Sequence, residues 1–405
     1  MVLNQTLLSA FTGAGGLDLG FEAAGFDVIG CIERDPQSLR TLSANRPSWP
    51  LLEPHDIVSL AQSLKPEDLG ISPGDLAILT AGPPCQPFSK AAQWSTNGRS
   101  GLDDPRAVSL GSLLQLIAKF LPRVILLENV IGFVAGPLSA MPYLEEQLGA
   151  INLVEGTGYT SHLFRVNAAH YGVPQRRERI LLVITRDGTL FHKPSPTHVE
   201  HPTTAWDAFA NIVVETPPCA SGRWADLLPS IPEGSNYLWH TERGGGAEIF
   251  GYRTRYWSFL LKLAKPEPSW TIPAESGPST GPFHWDNRPL SVMEALRLQT
   301  FPIDWSFAGS YRQQRRQVGN ATPPLLAEIF ARSIGQQIFQ RSYLLPPVYS
   351  ILRRLDSPPP PPAPSPVPPR YFPSKRQASH PGVGRGPKPT GTLQDRLDRK
   401  KVCEK

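Results

Sequence analysis

Between residues 6 and 130, four short apolar runs recur at 6–11, 27–33, 75–81 and 123–130. The stretches between them, 17–24, 36–45 and 107–121, carry apolar residues at helical spacing. A strand covered on both faces reads as an unbroken apolar run, so this alternation confines the chain to an α/β fold built on a doubly wound, mostly parallel sheet. Two further runs, 161–169 and 179–185, flank a turn containing Gly172 and Pro174 and suit a terminal antiparallel pair.

The alternation stops near residue 187. From 188 to 287 the chain is rich in proline and glycine and holds Trp206, Trp224, Trp239, Trp257, Trp270 and Trp285, which reads as a second, smaller, irregular domain. The run 257–263 and these tryptophans are expected to form a local core. Helical periodicity returns at 291–299 and 324–340, so 288–345 is expected to rejoin the first domain, which spans 1–187. From 346 to 405 the reading is a Pro-rich basic tail, extended or disordered, because it has few apolar residues to offset chain entropy. Nine of the twelve residues 358–369 are proline, and 353–405 carries 12 Lys or Arg against 4 Asp or Glu. The remaining residues hold 28 basic and 31 acidic side chains, so the formal charge of +5 belongs to the tail. Removing the tail after Tyr349 is expected to weaken nucleic-acid binding mainly at low salt and to leave any choice of site unchanged.

Cys31, Cys85, Cys219 and Cys403 are too far apart for metal-ligand or CxxC spacing, which excludes a disulfide-stapled scaffold and points to a reduced compartment without a metal. No apolar stretch approaches the ~20 residues needed to span a bilayer. The expectation is a cytoplasmic monomer.

Several loops concentrate chemistry at strand ends. Phe11-Thr12-Gly13-Ala14-Gly15-Gly16 allows a tight turn and close ligand approach, and is equally compatible with a packing turn. Glu33 ends the second run, where a carboxylate accepts from ribose hydroxyls; Asp56 and Ile57 are candidates to close the same pocket. Pro83-Pro84-Cys85-Gln86-Pro87 follows the third run and fixes a thiol in a loop with little freedom. Glu128 ends the fourth run, a costly place for a charge without a partner or a task. Gln175-Arg176-Arg177-Glu178-Arg179 places Arg177 and Arg179 on one side of an extended chain, suited to a phosphate or a base carbonyl, and equally reads as a solvated charge run. Asn320 lies in Gln317-Val318-Gly319-Asn320, which precedes a proline pair.

In this order and spacing, these segments, together with Arg288 to Arg297, resemble the C5-cytosine DNA methyltransferase family of the bacterial restriction–modification type. The resemblance implies the S-adenosylmethionine-dependent methyltransferase fold, with 188–287 as the target-recognition domain. It implies that the Cys85 thiolate adds to carbon 6 of cytosine, that Glu128 serves the ring N3 and amine, and that Arg177 and Arg179 hold the base carbonyl and a phosphate. Phe11, Gly13, Gly15, Gly16, Glu33, Asp56, Ile57, Pro84 and Asn320 would contact S-adenosyl-L-methionine. The substrate would be a cytosine flipped out of a short specific site in double-stranded DNA, under a lid at 90–104. Gln175, Arg243, Arg253, Arg255 and His240 are candidate DNA contacts, with phosphate contacts or structural pairs open for each. Arg288 and Glu294 are expected to form a structural pair. Ser9, Arg34 and Thr322 depart from the family pattern. A partner endonuclease cutting the same site is implied by association. Methylation of tRNA cytosine, or a silent DNA-binding role on the same scaffold, are the alternatives.

Overall fold

The computed structural model describes residues 5–84, 108–136 and 139–372. Its strands are β1 (Thr6–Ala10), β2 (Asp27–Ile32), β3 (Ile78–Ala81), β4 (Val124–Asn129), β5 (Thr160–Asn167), β6 (Gln175–Arg176), β7 (Glu178–Thr185) and β8 (Ser269–Trp270). Six of them form one sheet in the order β2-β1-β3-β4-β7-β5. The β1–β2, β1–β3 and β3–β4 pairs are parallel, whereas β7 runs antiparallel to both β4 and β5. This is the expected sheet, antiparallel end included.

The helices are α1 (Gly16–Ala23), α2 (Pro36–Asn45), α3 (Ile57–Ser63), α4 (Val108–Phe120), α5 (Met141–Glu155), α6 (Ala205–Ala208), α7 (Val292–Leu298), α8 (Tyr311–Asn320) and α9 (Pro324–Phe339). Alternation along the strands divides the core. Leu8, Leu79, Ile125, Leu127 and Leu182 face α3, α4 and α5, while Leu7, Ile78, Val124, Leu126 and Leu181 face α1 and α9. At Gly20 a side chain would collide with Ala327 and Glu328 of α9, so glycine lets the two helices touch.

The irregular stretch is held by its own aromatic core rather than by strands. Tyr237, Phe250 and Phe259 meet edge to face beside Trp224, with Leu227, Leu228 and Ile231 buried around them. Phe259, Leu260, Leu261 and Leu263 are buried as expected of the 257–263 run, but Trp257 is 54% exposed. Through β6 and β8, which pair in parallel, this stretch is joined to the segment that leads into β7.

The Pro-rich segment requires a correction. It lacks regular structure until a short turn at Pro369–Tyr371, as an extended chain would, yet residues 346–372 are docked and not free. The amides of Val348 and Tyr349 donate to the buried Glu328 carboxylate of α9. Arg354 lies 4.0 Å over the Trp206 ring, and its amide donates to Asp207. Farther on, the Ser365 amide donates to Pro229 O, and Tyr371 stacks on Trp224 at 5.4 Å with the rings 11° apart. The segment is therefore a strap from the sheet domain across the irregular stretch. Among the described residues no helix is long and apolar enough to cross a membrane.

Candidate active site

Phe11, Glu33, Pro84 and Glu128 stand at or just past the carboxyl ends of β1, β2, β3 and β4, where an open parallel sheet presents its loops to ligands. Phe11 follows β1 with a left-handed φ of 56°, and Gly13 and Gly15 also take positive φ. The glycines differ in what they do. Gly15 packs against Leu42, Trp49 and Trp305, and a side chain at Gly16 would collide with Thr322 O, so these two serve close packing. Among the described residues a Cβ on Gly13 would meet only Phe11 O, at 3.9 Å, so of the three Gly13 is the one that faces open space there.

Glu33, just past β2, holds that loop. Its carboxylate accepts from the Gly13 amide at 2.7 Å and the Asp35 amide at 2.6 Å. Burial pushes its pKa up, against the pull of those amides. Asp35 in turn caps α2 and pairs with Arg316 of α8 at 2.6 Å. Asp56 caps α3 by accepting from the Ser59 amide, and Ile57 is buried in the core. Pro84 ends the described part of its loop, while Cys85 and the lid at 90–104 lie outside the described residues.

Asn129, at the end of β4, donates through Nδ2 to Pro83 O at 3.0 Å, which ties the proline loop to the strand carrying Glu128. Glu128 is 8% exposed, and its Oε1 lies 2.7 Å from Arg179 Nε. That N–H is not aimed along the contact and Oε1 has no hydrogen bond, so the pair is held by charge and the oxygen keeps its accepting capacity. A buried carboxylate with a countercharge but an unfilled hydrogen-bond site is poised for a polar ligand.

Three placements differ from expectation. Among the described residues Arg177 and Arg179 meet different groups. Arg177 is 1% exposed, and its Nη2 donates to Gly319 O at 2.9 Å, because the chain changes sheets between β6 and β7. Gln175 is not a surface DNA contact: it is fully buried with both amide atoms bonded inside the protein. His240 is also buried, bonded to Ser230 and Ala247 O, and burial lowers its pKa. Among the candidate DNA contacts, Arg243 and Arg253 are exposed on the ring of Tyr252, at 3.9 and 5.3 Å, whereas Arg255 is half-buried over Phe250 and Phe259. Arg288 and Glu294 form a bidentate pair at 2.9 and 2.7 Å.

The family model for C-5 cytosine-specific DNA methylases matches residues 6–336. The chain belongs to the C-5 cytosine-specific DNA methylase family. It is accordingly a methyltransferase, and use of S-adenosylmethionine comes with the family. Among curated relatives, type II methyltransferase M.SacI of Streptomyces achromogenes is 34% identical over 372 residues, covering 82% of this chain and 93% of that protein. Type II methyltransferase M.NgoFVII of Neisseria gonorrhoeae is 32% identical, covering 83% and 88%. The fold is also that of a candidate DNA modification methyltransferase from an E. coli prophage, with a TM-score of 0.60 at 20% identity over 82% of this chain and 99% of that one. DNMT2 of Spodoptera frugiperda gives 0.56 at 15% identity over 81% and 99%.

One residue of this methylase that sequence reasoning missed is Asp18, in the first turn of α1. It is fully buried under the glycine loop, accepts from Thr80 Oγ1 at 3.3 Å, and desolvation raises its pKa to about 6. Its signal was a lone acid inside an otherwise apolar helix face, Leu17-Asp18-Leu19.

Proposed function

We propose that this methylase transfers a methyl group to carbon 5 of a cytosine within one short sequence of duplex DNA, as the modification enzyme of a type II restriction–modification pair. The observation that carries the reading is the buried Glu128–Arg179 pair beside the proline loop that leads to Cys85. Carbon 5 of cytosine is a weak nucleophile. Addition of the Cys85 thiolate to carbon 6 makes carbon 5 electron-rich, and loss of the carbon 5 proton with expulsion of Cys85 restores the ring. Glu128 would serve the N3 and amine edge, sharing a proton as negative charge develops in the ring, and Arg179 would hold the base carbonyl while keeping Glu128 oriented. Arg177 would act at one remove, by fixing Gly319 and Asn320. A stacked base cannot meet these groups, so the cytosine would be flipped out of the helix.

S-adenosylmethionine, when bound, supplies an electrophilic methyl group. The residues present fit it: Gly13 faces open space, and Glu33 binds backbone amides with lone pairs still available for ribose hydroxyls. Phe11, Gly13, Glu33, Asp56, Ile57, Pro84 and Asn320 would line its site, with Gly15 and Gly16 shaping the loop. Arg243 and Arg253, held on Tyr252, would contact DNA from the recognition domain of residues 188–287.

The test is transfer of labelled methyl groups by purified protein to duplex DNA and to tRNA in parallel. Label in DNA, lost with Cys85→Ala, is expected. Label confined to tRNA would overturn the choice of substrate, and no label in either would overturn the activity.

A further inference from the structure

The recognition stretch returns to the sheet domain along residues 269–274, and a buried amide relay fastens it there. Strand β8 pairs with β6, the Ser269 amide donates to Pro174 O at 2.9 Å, and Thr271 Oγ1 donates to Arg176 O at 2.7 Å. The Ile272 amide donates to Gln175 Oε1 at 3.1 Å. Gln175 Nε2 then donates to Gln299 Oε1 at 3.1 Å, and Gln299 Nε2 donates to Val318 O at 2.6 Å and Ala321 O at 3.3 Å. Both glutamines are fully buried.

The direction of this relay is forced. A backbone N–H can only donate, so Gln175 must present its oxygen to Ile272. Backbone carbonyls can only accept, so Gln299 must present its nitrogen to Val318 and Ala321. The remaining atoms of the two side chains are then complementary. On the opposite side the same return segment lies against α8, where a Cβ on Gly319 would stand 2.5 Å from Ala274 Cα. Arg177, two residues past Gln175 and two before Arg179, donates to Gly319 O. One buried network thus touches the recognition strand, the strand that delivers Arg179 to Glu128, and the end of α8 that carries Asn320.

We infer that Gln175 and Gln299 are positioning residues that couple seating of the recognition strand to the placement of Arg179 and of Asn320 at the end of α8, so that a correct DNA site is read out as rate. This rests on the methyltransferase reading above. A network with every donor and acceptor matched is rigid, and one reversed partner places two acceptors face to face in a dry interior. Movement of residues 269–272 must then displace either the Gln299 amide or the β6–β7 corner.

Two measurements test it. Gln175→Glu and Gln299→Glu keep shape but remove the donating nitrogen. On a duplex carrying the site mapped by bisulfite sequencing, both variants should bind DNA within about threefold of wild type. Their single-turnover methyl transfer should fall about 10- to 100-fold, the scale of a ~1 Å misplacement of a reacting group. The ratio of rates on the mapped site and on a one-base variant should narrow. In wild-type protein, binding of S-adenosylhomocysteine should slow hydrogen exchange at the Ile272 amide. That measurement needs neither variant to fold and no methyl transfer. Folded variants with wild-type rate and discrimination, or Ile272 exchange indifferent to S-adenosylhomocysteine, would overturn the inference. A wild-type protein that methylates nothing would instead overturn the activity on which it rests.

Discussion

Removal of the Tyr371 side chain should loosen the strap and, with it, the irregular stretch it crosses. Tyr371 is 5% exposed, stacks on Trp224, and sends its hydroxyl to Asp226 Oδ1 at 2.7 Å and Arg223 O at 2.9 Å. Truncating a buried aromatic in a fixed core costs ~3–5 kcal/mol. Tyr371 lies on a segment able to detach, so the loss is capped by the docking energy of that segment. Burial of a large side chain contributes ~2–3 kcal/mol and the aromatic pair ~1 kcal/mol, and the prolines of 358–369 reduce the ordering entropy to be offset. The expected destabilisation for Tyr371→Ala is therefore ~3 kcal/mol, felt as a melting temperature lower by about 5–10 °C for the unit that includes Trp224. Tyr371→Phe keeps the stack and loses the hydroxyl bonds, for a cost of ~1 kcal/mol. Thermal melts followed by tryptophan fluorescence, with truncation after Asp356 as a reference, measure all three. A Tyr371→Ala protein melting within about 1 °C of wild type would refute a docked strap.

Four further outcomes follow from the geometry. Glu128→Gln should lower the methyl transfer rate by about 10²- to 10⁴-fold, as loss of a proton-sharing group does, and should also lower the melting temperature because the buried Arg179 loses its countercharge; a folded variant near wild-type rate would remove Glu128 from the chemistry. Gly16→Ala places a methyl against Thr322 O and should cost ~1–3 kcal/mol in a melt, whereas Gly13→Ala, facing open space at φ 57°, should chiefly weaken S-adenosylhomocysteine binding in calorimetry. The raised pKa of Asp18 means the folded state holds its proton more tightly, so this contribution to stability is complete below about pH 4 and is lost as pH rises to about 6; at ~1.4 kcal/mol per unit it is on the order of 3 kcal/mol. Melts of wild type and Asp18→Asn from pH 4 to 7 should differ in slope, and parallel curves would reject the assignment.

Much of this architecture is legible in the chain because strands buried on both faces have no choice but to be apolar throughout. The positions of Gly13, Glu33 and Glu128 at strand ends follow from that alternation. Helix α8 escaped notice because its buried face is polar: Arg315, Gln317, Val318 and Gly319 turn inward, and no apolar stripe marks them. The divergence of Arg177 from Arg179 was hidden because a strict two-residue period presumes one continuous strand, and the backbone passes from β6 to β7 between them. The strap was misread for a thermodynamic reason. Low apolar content signals disorder when each residue brings full backbone entropy, but prolines bring little, so Ile351, Val367, Tyr371, an Arg370–Asp226 ion pair and the amides that donate to Glu328 and Asp207 seat it. Its arginines at 354 and 370 are bound to Asp356 and Asp226 and are not a free basic surface.

The central claim is that Cys85-dependent transfer marks cytosine in one short duplex sequence. Bisulfite sequencing of DNA from cells expressing the protein reads activity and site together. The account predicts protected cytosines confined to a single short motif, absent in cells expressing Cys85→Ala. Full conversion of every cytosine with the wild-type chain, or protection that persists with Cys85→Ala, would contradict it.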